Sequence, residues 1–133
     1  MPEVNYIAVV TAALSAFVLG GIWYSGLFGR QWMAASGQSE ETLKSGNPAI
    51  IFGGSLVLNL IQAFVLAMFI GQGDLQFAVF AGGSVGLAWV ATALGVNYLF
   101  ERRPLSLWLI NGGYFVLQFT LMGAIIGAFN PSA

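Results

Sequence analysis

Four stretches of this chain carry no charged side chain: Asn5 to Phe28, Pro48 to Ile70, Leu75 to Phe100 and Leu105 to Phe129. Each exceeds the about 20 apolar residues that a helix needs to cross a hydrocarbon core of about 30 Å. Together they take up most of the 133 residues, leaving no room for a water-soluble domain. Charged residues amount to 7% of the chain, against roughly a quarter in soluble domains. So few charges cannot coat a surface facing water. A membrane barrel would read as short segments of about ten residues with alternating polarity. Here the apolar runs are continuous and rich in Ala, Leu and Gly, which predicts helices. The expected fold is all-α: a single domain over residues 1–133 with four transmembrane helices in an up-down bundle.

The breaks between the runs agree. Asn47-Pro48 places a capping residue and a first-turn proline at the start of the second span. Gly71-Gln72-Gly73-Asp74 reads as a tight turn in which Asp74 caps the third span. Glu101-Arg102-Arg103-Pro104 separates the third span from the fourth. The longer segment from Gly29 to Gly46 contains Ser39-Glu40-Glu41, an N-cap followed by acidic first-turn residues. It is expected to hold one short interfacial helix, with Trp32 and Met33 at headgroup level.

Orientation follows from the basic residues. Arg30 and Lys44 lie in the first loop, Arg102 and Arg103 in the third, and there are no others. The positive-inside rule makes loops one and three cytoplasmic and turns both termini outward. Trp23, Tyr24, Trp32, Tyr98 and Trp108 gather on the expected cytoplasmic side, and Tyr6 marks the other. The first span lacks the basic n-region and clear cleavage site of a secretory signal, so it is expected to stay in the mature protein.

The stretch Leu19-Gly20-Gly21-Ile22-Trp23-Tyr24-Ser25, continued by Leu27-Phe28-Gly29-Arg30-Gln31-Trp32, resembles the opening signature of the DUF1761 family. Those proteins are small bacterial four-helix membrane proteins of unknown function. Ser39-Glu40-Glu41 and Asn111-Gly112-Gly113-Tyr114 resemble further stretches of that pattern, so the likeness covers nearly the whole chain. Gly26 departs from it, standing where the family has a proline. The resemblance implies four helices and a bacterial inner-membrane location. It implies no activity, substrate or catalytic residue.

Chemistry must therefore come from the residues. The chain has no cysteine and no histidine, and Glu3, Asp74 and Glu101 lie at span ends. A proton-coupled carrier that uses a carboxylate within the membrane is not expected, nor is hydrolytic or redox catalysis at membrane depth. No enzyme activity, cofactor or metal is expected. A net charge of −1 offers nothing to nucleic acid. The expected partners are membrane lipids, further copies of the chain and an unidentified small molecule.

Neutral polar residues are the candidates for a site. Ser55, Asn59 and Gln62 share one helical face of the second span, and Asn111, Tyr114 and Gln118 share one of the fourth. Asn97 lies near the end of the third span, at a depth comparable to Asn111. Asn59 lies roughly 16 Å and Gln118 roughly 20 Å in from the same side, at 1.5 Å per residue. Amides at that depth must bond within the protein or face a wet cavity. Two readings stay open: hydrogen-bonded glue between helices, or a polar site for a solute.

Small residues four apart form stripes that let helices approach closely. Gly82 and Gly86, Ala91 and Gly95, Gly123 and Gly127, and Ala12, Ala16 and Gly20 make such pairs and runs. They are expected to pack helices, either within one chain or between copies. Trp89, in the middle of the third span, is expected to fill space opposite glycine or to wall a cavity. Gly21-Ile22-Trp23-Tyr24 and Gly95-Val96-Asn97-Tyr98 form a weak echo, suggesting two parallel hairpin repeats. The preferred function is a small-solute channel or transporter acting as a homo-oligomer, and the alternative is a non-transport module that binds lipid or a partner membrane protein through Gly-rich faces.

Overall fold

Asn5 starts the first helix by accepting hydrogen bonds at Oδ1 from the Ile7 and Ala8 amides, at 3.0 and 3.2 Å, which satisfies donors that a helix start leaves free. In the computed structural model, which describes residues 4–130, α1 spans Tyr6–Ile22 and runs straight into a π-helical turn, Trp23–Leu27. Glu3 lies outside the described residues. The turn is closed by the Phe28 amide, which donates to the Trp23 carbonyl five residues back at 2.8 Å. Gly26 sits in this wide turn with open space around it.

The first loop holds two short helices, α2 (Gly29–Ser36) and α3 (Glu40–Lys44), where one was expected. Gly37 breaks them apart: its φ of +78° ends α2, a conformation that suits glycine. Ser39 then caps α3, accepting from the Thr42 amide at 3.2 Å. The helix α4 (Pro48–Ile70) begins as its sequence indicates, with Asn47 Oδ1 accepting from the Ala49 amide. Asp74 caps α5 (Leu75–Ser84), which continues through a second π-helical stretch, Val85–Ala91, into α6 (Thr92–Glu101). The last helix is α7 (Leu105–Ala128). Among the described residues, four continuous helical runs are long and apolar enough to span a membrane: Tyr6–Leu27, Pro48–Ile70, Leu75–Glu101 and Leu105–Ala128.

The bundle is built around α7, which packs against α1, α4, α5 and the second π-helical stretch. Its tightest contact is with α5, and glycine makes that contact possible. A Cβ at Gly82 would strike the Phe119 carbonyl oxygen, and one at Gly123 the Ala78 carbonyl oxygen. Gly86 lies against Phe115 and Val116, where a Cβ would come within 2.7–2.8 Å of backbone atoms, and Gly127 lies against Ala78 and Leu75. All four glycines are thus engaged inside the chain. A second copy of the protein would have to use other faces.

One end of the bundle is closely packed. Ala12, Ala13, Ala16, Ala63, Leu66, Ala67, Phe119, Met122 and Ile126 form its core, and Asn130 Nδ2 ties the end of α7 to the 71–74 turn through the Gly71 and Gly73 carbonyls. The outer faces are apolar, with Phe80, Leu99 and Phe100 more than 70% exposed, a surface that suits hydrocarbon. Trp89 belongs to this outer surface at 64% exposure. Its ring meets none of the positions a side chain at a glycine would take, and it falls in the second π-helical stretch.

Candidate functional site

At the other end the helices separate. The end of α1, the first half of α4 and the middle of α7 enclose a half-open groove of about 570 Å³. Its walls are mainly apolar, with Phe17 from α1, Phe52 and Leu58 from α4 and Phe115 from α7. Phe17 and Phe52 meet edge to face across it, ring centres 5.9 Å apart. Gly20 and Gly21 thin the α1 wall. At Gly20 the Tyr114 hydroxyl fills the space, while nothing lies within 4 Å of where a Gly21 Cβ would stand.

The polar residues of the groove are Ser25, Ser55, Asn59, Gln62, Tyr114 and Gln118, together with Tyr24. Ser25 and Ser55 donate back to carbonyls of their own helices, Gly21 and Ile51. Tyr114 donates to the Ala16 carbonyl at 2.9 Å and so fixes α7 to α1. Gln118 is almost fully buried; its Nε2 donates to Gln62 Oε1 at 2.7 Å and lies 3.6 Å from Met122 Sδ. This amide pair closes the groove toward the packed end. Such bonds hold membrane helices together by about 0.6 kcal/mol on average.

Asn59 differs from these residues. It lines the groove, half-buried, and its amide makes no hydrogen bond to any described residue. No fully buried side-chain polar atom among the described residues lacks a partner. The Asn59 amide therefore opens into the groove. One mainly apolar cleft thus offers a free donor and a free acceptor, and an amide left unpaired in an apolar setting costs several kcal/mol.

A second polar cluster lies beside the groove. Tyr24 donates to Asn111 Oδ1 at 2.6 Å, and Asn111 Nδ2 donates to the Tyr98 hydroxyl at 2.8 Å. These bonds join the first, fourth and third spans. The Trp23 indole donates to the Ile110 carbonyl at 3.0 Å, and the Trp108 indole donates to the Ala91 carbonyl at 2.7 Å. The structure thus brings Gln62 to Gln118, sets Asn59 and Tyr114 on the same groove, and places Asn111 in the adjoining cluster. Asn97 stands apart, exposed on α6 and without a hydrogen bond among the described residues. Its neighbour Tyr98 is the residue that meets Asn111. The sequence marks Tyr24 and Tyr98 only as interface aromatics. Tyr24 lies in the π-helical turn at Trp23–Leu27, which periodicity does not reveal.

These features define a small helical bundle with four helices long and apolar enough to cross a membrane, and a groove between three of them. The family described as "Protein of unknown function (DUF1761)" matches residues 7–127, and the chain belongs to it. No curated protein and no solved structure matches the chain.

Proposed function

We propose that the protein is a bacterial inner-membrane binding module. Its groove takes a small amphipathic molecule, with the apolar part against Phe17, Leu58 and Phe115 and one hydrogen-bonding group at Asn59. The carrying observation is the unpaired Asn59 amide in an otherwise apolar cleft. The volume of about 570 Å³ lies within the range of small-molecule sites, roughly 300–1,000 Å³. Transport as a homo-oligomer draws less support. The Gln62–Gln118 pair and the packed Ala, Leu and Met core block a route through a single chain, and the glycine stripes of α5 and α7 are already engaged internally.

A diazirine-bearing octanol tests the site in the full chain reconstituted in lipid nanodiscs. Labelling is expected to be saturable and to map to 17–25 and 51–62, with octanol competing better than octane. Asn59→Leu should remove the difference between the two competitors while leaving the groove labelled. Labelling that neither saturates nor favours these segments would refute the reading.

Orientation belongs to the same proposal. Arg30, Lys44, Arg102 and Arg103 face the cytoplasm, and the 71–74 turn faces outward. Reporter fusions at Gly37 and Gly73 should report cytoplasmic and outer positions respectively. The reverse pattern would invert the assignment.

A further inference from the structure

A second cleft lies at the start of α7 and shares no lining residue with the groove. It occupies about 300 Å³ between the end of α6 and the start of α7, with Gly95, Leu99, Leu105 and Trp108 as walls and Arg103 at its edge. The Trp108 ring lies across Gly95, where a Cβ would come within 3.1 Å of the indole nitrogen, and its bond to the Ala91 carbonyl holds it there. Leu99 and Leu105 are 81% and 68% exposed, so the cleft opens onto the apolar outer surface. We propose that this cleft binds one anionic phospholipid, with its acyl chain along Leu99, Leu105 and Trp108 and its phosphate on Arg103.

The charge of the cleft selects that occupant. Arg103 has one acidic neighbour, Glu101, whose Oε1 is 3.8 Å from the arginine Nε. No hydrogen bond within the described residues engages its two terminal nitrogens, which leaves the guanidinium fork free for bidentate phosphate contact. The exposed pair to Glu101 is weak competition, since such ion pairs contribute about 0–1 kcal/mol. Arg102 is the preceding residue, so the turn 101–103 carries a net charge of +1. Basic residues next to a membrane span favour anionic headgroups by about 1 kcal/mol each. Apolar wall and free guanidinium lie side by side at the end of two spans, where a lipid headgroup meets its acyl chain.

The test uses the full chain in nanodiscs containing equal amounts of phosphatidylglycerol and phosphatidylcholine, followed by native mass spectrometry of the released protein. The wild type is expected to retain phosphatidylglycerol in preference to phosphatidylcholine. Arg103→Gln should cut that preference about fivefold, Arg103→Lys should restore part of it, and Arg30→Gln, which removes a charge outside the cleft, should cut it less. Equal retention of the two lipids by the wild type would overturn the proposal, and this comparison requires no variant to fold. An Arg30→Gln loss as large as that of Arg103→Gln would overturn it too, because general surface charge would then explain the preference.

Discussion

Leucine at Gly82 or Gly123 is expected to abolish the folded bundle. The two glycines face each other where α5 crosses α7. A Cβ on either would stand 3.3 Å from the other's Cα and would collide with a backbone carbonyl oxygen, Phe119 for Gly82 and Ala78 for Gly123. Backbone cannot swing aside as a flexible side chain can, so the helices must separate. Overpacking ordinarily costs about 1–3 kcal/mol, and here a whole isobutyl group has to enter the contact. The loss should therefore exceed about 3 kcal/mol, the upper end of that range. Because α7 also packs against α1 and α4, its displacement would dismantle the core. Gly53→Leu is the control. No atom lies within 4 Å of a Cβ there, and leucine favours a helix over glycine by up to about 1 kcal/mol. Unfolding of the reconstituted variants by steric trapping would separate the cases. Near-native stability of the Gly123 variant would show that α5 and α7 do not meet as described.

Phenylalanine at Gly21 is expected to leave the fold intact and to empty the groove of ligand. Gly21 lines the cleft, and the space where its Cβ would stand is open. A benzyl group there would start from an open position on the groove wall and compete with ligand for its volume. Saturable labelling by the diazirine-bearing octanol should fall at least tenfold, equivalent to about 1.4 kcal/mol, while thermal stability stays at or above that of the wild type. The pairing of lost binding with kept stability distinguishes a site from a structural cavity. Full labelling of a stable Gly21→Phe protein would place the probe elsewhere.

The four spans were legible because hydrocarbon imposes a simple demand: length, apolarity and absence of charge. The caps were legible for a similar reason. Asn47, Asp74 and Ser39 act within three residues of their own position, so local sequence carries the information. The glycine pairs on α5 and α7 could be seen as contact surfaces, but spacing alone could not say whether the partner was another helix of the chain or another copy. The depths of Gln62 and Gln118 brought them to one level, and their hydrogen bond follows from that. What the sequence hid depends on helix phase. The π-helical stretches at 23–27 and 85–91 shift the helical faces. Trp89, within the second stretch, points outward, and beyond it Tyr98 rather than Asn97 meets Asn111. The break at Gly37 was similarly hidden inside a segment that charge patterning read as one helix. The groove depends on α4 diverging from α7, which no local pattern encodes.

The most direct test of the binding site is a crystal structure grown from a lipid mesophase with 8-bromo-octanol, in which anomalous scattering locates the bromine. One peak is expected inside the groove, among Phe17, Phe52, Leu58 and Phe115, with the alcohol oxygen within hydrogen-bonding distance of the Asn59 amide. Bromine only on the outer faces, beside Phe80 for instance, would contradict the proposed function. So would a groove closed by α4, with Asn59 bonded to another side chain.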